Sequence, residues 1–164
     1  MSVYFTHPVR SPLEGSAFID VSWHSTYSLL AVLAERKSPD RGMVFICHDE
    51  GELIADMCVE RSHLAETISW HPERKILAIG WSSGEITTCN AYENEIFSVS
   101  SHHHSNVNII RWSLTGNHII SADKSGLVLL WQIESKGELY SSPVHQTKVA
   151  GVVTHCVLLG ADPK

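Results

Sequence analysis

The fold of this chain is decided by two stretches, ILAIGWSSGEITTCN at residues 76–90 and HIISADKSGLVLLWQ at residues 118–132. Each stretch predicts two short strands, rich in aliphatic, β-branched and aromatic residues, joined by a tight turn that ends in glycine. The first strand of each pair is predicted at Ile76–Trp81 and at His118–Asp123. The stretches begin 42 positions apart, and their turn glycines, Gly84 and Gly126, keep that spacing. A period of this length indicates one supersecondary unit that is copied along the chain.

Tryptophan and glycine mark three copies of this unit. Trp70 and Trp112 are 42 positions apart, and Gly42 stands the same distance before the next turn glycine. Trp23 begins the first copy but lies 47 positions before Trp70, so the first copy holds five extra residues. We place them in the polar, proline-containing segment Glu35–Arg41, which is predicted to be a surface loop.

Each copy is predicted to hold four short strands, and no window of the chain shows a helical period. A unit of 40–45 residues with four strands is typical of a β-propeller blade. The predicted class is all-β, a partial propeller of about three four-stranded blades plus the first strand of a fourth. Within residues 1–164 the blades are predicted at about 17–60, 66–101 and 107–144, with the fourth blade starting at about 152–158. The last strand of the third blade is placed at Glu138–Val144.

The predicted blades are too few to close a ring, because propellers have about 4 to 8 blades. We therefore expect this chain to be an N-terminal fragment or a truncated product of a longer protein. By itself it is expected to be marginally stable and to associate through its open edge. The opening residues Ser2–Phe5 are a candidate for the strand that closes the ring with a last blade.

The composition is globular, with 43% apolar and 18% charged residues. A net charge of −6 argues against nucleic acid as a partner, because phosphate binding needs a basic surface. No stretch approaches the roughly 20 apolar residues of a membrane span, and the N-terminus lacks a secretory signal pattern. The four cysteines form no C-x-x-C pair, which predicts reduced, buried thiols in a cytosolic protein. They are Cys47, Cys58, Cys89 and Cys156.

The run His102-His103-His104 is the most prominent candidate for a metal site. Adjacent histidines in a loop do not converge on one ion, so we predict a solvated interblade loop instead of a metal site. The pairs Cys47-His48 and His155-Cys156 raise the same question. Cys47 occupies the position that Trp131 has in the third copy, and Cys156 lies in an apolar run, so both are predicted to be buried.

No catalytic, cofactor or metal site is predicted, since the chain has neither G-x-S-x-G nor a phosphate-binding loop. Trp81 ends a second strand and is predicted to pack in the core. The alternative is a position on the rim of the central channel, where an aromatic side chain anchors a partner. Five carboxylates are predicted to be solvated, with a patch for a basic partner as the alternative; they are Glu14, Asp20, Asp49, Glu50 and Glu52.

The repeats resemble WD repeats in a degenerate form. A typical WD repeat has Asp just before the turn glycine and ends its third strand in Trp-Asp. Here Ser83 and Ser125 precede the glycines, and the usual histidine is represented only loosely, by His63 and by His102–His104. The resemblance therefore predicts an incomplete network of His, Ser, Asp and Trp, with blades that rely more on packing.

Seven segments carry a closer resemblance, and three motifs among them, Trp-His-Pro, Gly-Trp-x-x-Gly-Glu and Thr-His-Cys, are more specific than a generic WD pattern. The seven segments are Ser22-Trp23-His24, Val59-Glu60-Arg61, Ser69-Trp70-His71-Pro72, residues 77–85, Leu114-Thr115-Gly116-Asn117, residues 128–131 and Thr154-His155-Cys156. In order and spacing, over nearly the whole chain, they resemble the N-terminal start of the one-hundred-and-forty-kilodalton subunit family of intraflagellar transport complex A. Members of that family carry two propellers followed by helical tetratricopeptide-like repeats.

The resemblance implies a non-catalytic interaction scaffold in retrograde ciliary transport, cilium assembly and delivery of membrane receptors to cilia. The implied partners are other complex A subunits, with membrane-receptor cargo or adaptors beside them, and neither nucleic acid nor a membrane span. The implied locations are the cytoplasm, the cilium, its basal body and the axoneme. No ligand residue is implied, since the family has no short catalytic or binding motif to map onto this chain.

Two other readings stay open at this point. The first is a WD scaffold of another assembly, such as a vesicle coat or a ubiquitin-ligase adaptor, because fold alone does not fix function. The second is an enzyme on a propeller frame, which requires convergent carboxylates or histidines in the central channel, and the sequence offers no such set.

Overall fold

Three four-stranded antiparallel sheets make up the computed structural model, which describes residues 6–37, 40–100 and 102–158. No helix occurs within those ranges. The first sheet contains, in spatial order, β1 (Ala17–Trp23), β2 (Leu29–Lys37), β3 (Asp40–His48) and β4 (Leu53–Arg61). This architecture confirms the prediction of an all-β chain with propeller-type sheets.

The hairpin between β2 and β3 is longer than predicted. Arg36 pairs with Arg41 and Lys37 with Asp40, so both strands run on through the polar segment. The prediction of a loop at Glu35–Arg41 is therefore wrong. The five extra residues lengthen the two strands, because a hairpin can extend in register without disturbing the buried part of the sheet.

The second sheet lies in the middle and is buried on both faces. Its strands, in spatial order, are β5 (Ala65–Trp70), β6 (Ile76–Trp81), β7 (Ile86–Asn90) and β8 (Glu95–Val99). Successive side chains of a strand point to opposite faces. Both faces of β6 and β7 are covered by neighbouring sheets, so these two strands are buried along their whole length.

The third sheet repeats the pattern with β9 (Val107–Trp112), β10 (His118–Asp123), β11 (Leu127–Gln132) and β12 (His145–Lys148). Its last strand was predicted at Glu138–Val144, and that prediction is wrong. That stretch forms an isolated bridge between Ile133 and Leu139 and two further backbone hydrogen bonds to β11, and it then leads to β12. The four residues of β12 are polar and exposed, which is why hydrophobic pattern did not identify them.

The segment 152–158 is assigned no strand, although it was predicted to begin a fourth blade. It lies beside the third sheet, where the Asn108 side-chain amide donates to the Val153 carbonyl at 2.8 Å. Its role as the inner strand of another blade stays a prediction. The proposed closing strand Ser2–Phe5 lies outside the described residues.

Two apolar cores join the three sheets. The core between the first and second sheets includes Leu33, Ile46 and Ile79, and the core between the second and third includes Ile86 and Ile110. A fully buried aliphatic side chain of this size stabilises the folded state by about 1.5–3 kcal/mol. The sheets therefore gain most of their stability from packing on one another.

The outer face of the first sheet is covered differently. Leu13 is buried against Val32 and Phe45, with Val9 packed beside them, so the segment that precedes β1 lies over this face. The coverage does not reach β1, whose apolar side chains are about half-exposed. They are Phe18, Ile19, Val21 and Trp23.

The tryptophans of the repeat tie neighbouring sheets together. Trp70 Nε1 donates to the Ser22 carbonyl of the first sheet at 2.9 Å, and Trp112 Nε1 donates to the Ser69 carbonyl of the second sheet at 2.9 Å. Each indole thus bridges two inner strands, β5 to β1 and β9 to β5. This repeated bond gives a physical reason for tryptophan at a period of 42.

Candidate functional site

A buried line of hydrogen bonds joins four side chains of the third sheet. Trp131 Nε1 donates to Ser121 Oγ at 2.8 Å, and Ser121 Oγ lies 2.7 Å from His103 Nε2. His103 Nδ1 lies 3.1 Å from an Asp123 carboxylate oxygen. Every group is satisfied when the serine hydroxyl donates to Nε2 and Nδ1–H donates to the carboxylate. The network is therefore complete in this sheet, and the predicted incompleteness is wrong here.

The charge state of this network follows from its surroundings. Burial lowers the pKa of His103, an effect that its bond to Asp123 partly offsets. Burial alone would raise the pKa of Asp123, but bonds from Ser125, His103 and the Leu127 amide outweigh it and lower the pKa. The imidazole is therefore neutral and the carboxylate ionised at neutral pH.

The order serine, histidine, aspartate is also that of hydrolytic triads, but burial excludes this chemistry. The side chains of His103 and Asp123 have no exposed surface, so no substrate carbonyl can reach the serine hydroxyl. The network holds β10, β11 and the segment before β9 in one arrangement. His103 is not in a solvated loop, contrary to the prediction for the histidine run.

The second sheet carries a different network at the equivalent positions. Arg61 stands 42 positions before His103, and Trp81 stands 42 positions before Asp123. Trp81 Nε1 donates to Thr87 Oγ1 at 2.9 Å, and the Arg61 guanidinium lies 5.6 Å from the centre of the Trp81 ring. Arg61 also pairs with Glu85 at 3.2 Å. Here the histidine and aspartate are indeed absent, and an arginine–indole pair stands in their place.

Trp81 is fully buried, so it cannot serve as an exposed anchor for a partner on the channel rim. Its indole packs in the core between the first and second sheets, where core packing was predicted. The other two histidines of the run have separate surroundings. His102 Nε2 lies 2.9 Å from the Ser141 carbonyl, its ring meets Trp131 edge-on at 5.1 Å, and His104 is exposed.

The described ranges hold no group of three His, Cys, Asp or Glu side chains close enough to bind a metal ion. Cys47 and Cys89 are buried as predicted, and burial raises the pKa of Cys89 to about 12. Both thiols are therefore protonated at neutral pH. Cys58 is exposed and Cys156 half-buried, so the prediction of burial is wrong for these two.

The five candidate carboxylates are all exposed: Glu14, Asp20, Asp49, Glu50 and Glu52. They lie on strand β1, before it, or in the turn between β3 and β4. Across the described residues no helix is long and apolar enough to cross a membrane.

A cleft of about 340 Å³ opens where turns of all three sheets meet. We call it the loop-end cleft, and it is lined by Tyr27, Arg74, Lys75, Ile76, Asn90, Tyr92, Glu93 and Ser135. Tyr27 comes from the β1–β2 turn, Lys75 from the β5–β6 turn and Tyr92 from the β7–β8 turn. No sequence pattern marked these residues, because they come from separate turns and the blade packing alone brings them together.

Aromatic and cationic groups dominate the loop-end cleft. Tyr92 is 80% exposed, and the Lys75 ammonium lies 4.9 Å from the centre of the Tyr27 ring. Arg74 is fixed by its bond from Nη1 to the Ser135 carbonyl at 2.7 Å. The cleft thus presents exposed tyrosine rings beside positive charge, and tyrosine and arginine are both enriched at protein interfaces.

A second cavity of about 480 Å³ lies along the inner strands β1, β5 and β9. Its lining is mostly polar and includes Asp20, Ser22, Thr67, Ser69 and Arg111. In a propeller, inner strands line the central channel. This surface carries both charge signs and no cluster of catalytic groups.

Comparison with known proteins agrees with this architecture. A family model described as "IFT140 first beta-propeller" matches residues 2–164. A chain in the crystal structure of a mitotic checkpoint complex superposes with a TM-score of 0.63 at 19% sequence identity, over 85% of this chain. This chain spans 41% of the length of that solved chain, and the likeness shows a shared fold.

Proposed function

This chain belongs to the family of the IFT140 first beta-propeller, and we propose that it serves as a non-catalytic interaction scaffold in a subunit of intraflagellar transport complex A. The family match over nearly the whole sequence is the observation that carries the proposal. The sheets support it, because they form a stiff frame that displays turns from several blades at one end.

The finer roles extend the same proposal. They are retrograde transport along the axoneme, assembly of the cilium and delivery of membrane receptors to cilia. The partners are the other subunits of complex A, together with receptor cargo or its adaptors. The protein acts in the cytoplasm, at the basal body and along the axoneme. The family membership supports these roles.

Absence of enzymatic activity is part of the proposal. The one serine–histidine–aspartate arrangement found in the described ranges is closed to solvent. Of the five candidate carboxylates, three share the turn between β3 and β4, and Asp20 is the one that lines either described cavity. These observations favour a surface that binds over one that reacts.

The test is localisation and recovery of partners in a ciliated cell, with a tagged protein that carries this chain. We expect signal at the ciliary base and along the axoneme, together with recovery of the other complex A subunits. A diffuse cytosolic signal with recovery of vesicle-coat or ubiquitin-ligase components would overturn the ciliary proposal in favour of another WD scaffold.

A matched pair of variants links that result to this chain. Ile79→Asp places a carboxylate in the core between the first two sheets, where an unpaired buried charge is not tolerated. Leu114→Asp makes the same kind of change at a side chain that is 75% exposed. Recovery of the other subunits should be lost with Ile79→Asp and kept with Leu114→Asp.

A further inference from the structure

We propose that the loop-end cleft docks an acidic linear segment of a partner protein, with an aromatic or aliphatic side chain next to its carboxylates. The inference rests on the proposed scaffold function, for which it names one docking site and the chemistry of the segment that binds there.

The cleft has the size and lining for an inserted apolar side chain. Its volume of about 340 Å³ exceeds that of any single amino-acid side chain. Tyr92 is 80% exposed and Tyr27 is 37% exposed, so both rings have surface left to cover. Tyrosine adds contact area at a low cost in side-chain entropy, which suits a docking surface.

The charges in the cleft favour an acidic partner. Lys75 lies above the Tyr27 ring and forms no ion pair with a carboxylate in the part of the chain that the structure describes. Glu93, the acidic residue of the lining, is already engaged by Lys136 at 3.8 Å and by the Asn90 amide at 3.5 Å. A carboxylate entering the cleft therefore meets an uncompensated ammonium.

This positive site stands out against the rest of the molecule. The whole chain has a net charge of −6, so an acidic segment is repelled on average and attracted only locally. This difference between the local charge and the net charge favours binding of an acidic segment at the cleft over nonspecific binding elsewhere on the surface.

The backbone of the cleft is already ordered. His24 Nε2 lies 2.9 Å from the Arg74 carbonyl, and the Ala91 amide donates to the Lys75 carbonyl at 2.8 Å. Because turns of three sheets hold these residues in place, binding costs little ordering of the cleft itself.

The experiment selects peptides from a random library displayed on phage, with the purified chain as bait. The same selection is run with Lys75→Glu, which reverses the charge, and with Tyr92→Ser, which removes an exposed ring. Lys37→Glu is the matched control, since Lys37 has a side chain that is 79% exposed and lies on the hairpin of the first sheet, outside the cleft. Thermal unfolding checks that each variant is folded.

We expect the unmodified chain and Lys37→Glu to enrich the same peptides, in which Asp or Glu flanks an aromatic or aliphatic residue. A synthetic peptide from that pool should bind about tenfold more weakly to Lys75→Glu and to Tyr92→Ser in fluorescence anisotropy. Its Gln-for-Glu version should lose affinity for the unmodified chain. Enrichment without acidic residues, or equal binding to all folded variants, would overturn the proposal.

The two proposals fail in different ways. If selection shows no acidic preference while the tagged protein still reaches the cilium with its subunits, only the docking proposal is lost. If the peptides bind as expected while the tagged protein stays diffuse, the ciliary function is lost and the cleft belongs to another scaffold.

Discussion

Ser121 holds three parts of the third sheet through one hydroxyl group. It accepts a hydrogen bond from Trp131 of β11 and faces His103 of the segment before β9, while lying on β10 itself. All three side chains are buried, so water cannot replace a missing partner. Loss of this hydroxyl leaves one donor and one acceptor unsatisfied in the interior.

Ser121→Ala is therefore expected to lower the free energy of unfolding by about 3 kcal/mol. Ser142→Ala, at an exposed position of the loop before β12, should change it by less than about 0.5 kcal/mol. Urea unfolding followed by tryptophan fluorescence measures both variants. Equal stability of the two variants would show that the buried network contributes nothing to the fold.

The buried side chain of His71 makes the free energy of unfolding depend on pH. Burial, with the charge of Arg74 beside it, lowers the pKa of His71 from 6.5 to about 4. The unfolded chain therefore takes up a proton at a higher pH than the folded chain does. The stabilising effect is full above pH 6.5 and is lost as the pH falls towards about 4, for a total of about 3 kcal/mol.

The measurement is the urea midpoint at about pH 7 and about pH 5 for the unmodified chain and His71→Gln. The unmodified chain should lose more stability on acidification than His71→Gln does. His103, whose pKa is also lowered, acts in the same direction, so the variant keeps part of the dependence. The exposed His7→Gln is the control for replacing a histidine side chain by glutamine at the surface.

At the scale of elements, the three glycines of the repeat, Gly42 within β3 and Gly84 and Gly126 in turns, are explained by close approach of the chain. A methyl group added at Gly84 would overlap the carbonyl of His103, and one at Gly42 would overlap the carbonyl of His63. Gly84 has a φ of +89°, as expected for the tight turn, but Gly42 has no positive φ. All of these positions therefore require a residue without a Cβ atom, because the neighbouring chain is too close. In the second and third sheets the glycine must also adopt a positive φ.

Gly126→Ala and Gly15→Ala separate these two requirements. Both glycines have positive φ, +86° and +70°, and alanine there costs about 1–2 kcal/mol in backbone strain. At Gly126 the methyl group would also strike the carbonyls of Val149 and Gly151, whereas nothing lies within 4 Å at Gly15. We expect Gly126→Ala to be more destabilising by about 1–3 kcal/mol in thermal or urea unfolding. Equal losses would mean that strain alone decides.

The strands that the sequence predicts well are those that packing makes apolar. Repeat spacing and apolar composition between turn residues locate Ile76–Trp81 and His118–Asp123 to the residue, because buried strands leave little freedom in their composition. His145–Lys148 is exposed and polar, and its place is set by pairing with β11, which local composition does not record. The hairpin beyond Glu35 was predicted as a loop for the same reason, because its residues are polar and only their pairing makes them strands.

At the scale of the molecule, the exposed inner strand β1 is the surface where we expect association with other chains. Trp70 and Trp112 each donate to the inner strand of the preceding sheet, while Trp23 makes no such bond among the described residues and is 56% exposed. Phe18, Ile19 and Val21 extend the apolar surface along the same strand. A surface of this kind drives association with other apolar surfaces.

We expect the isolated chain to self-associate as its concentration rises and Val21→Lys to shift it towards the monomer. A lysine on an edge strand opposes pairing with another chain, because its charge has to be removed from water. Leu114→Lys changes a side chain that is 75% exposed on a turn and should leave the association unchanged. Sedimentation velocity over a concentration series measures this. A monomer at every concentration of the unmodified chain contradicts the expectation.

Of the candidate sites, the sequence identified the histidine run but not its role. His103 and Asp123 lie 20 positions apart, and their contact depends on how the segment before β9 folds back over β10. The sequence did not predict the loop-end cleft, since Tyr27, Lys75 and Tyr92 belong to different turns. Periodicity predicts which residues are buried in each blade, whereas a surface shared by several blades depends on their relative placement.

The contacts of the three repeat glycines also have a consequence for folding while the chain is being synthesised. Gly42 lies against His63, Gly84 against His103 and Gly126 against Val149, each partner about twenty residues downstream. The segment that packs on the glycine of a blade therefore follows soon after the last strand of that blade has left the ribosome, before the following blade is synthesised. The inner strand of the earlier blade also offers the carbonyl that receives the next indole, so each new blade meets its bonding and packing partner already outside the ribosome.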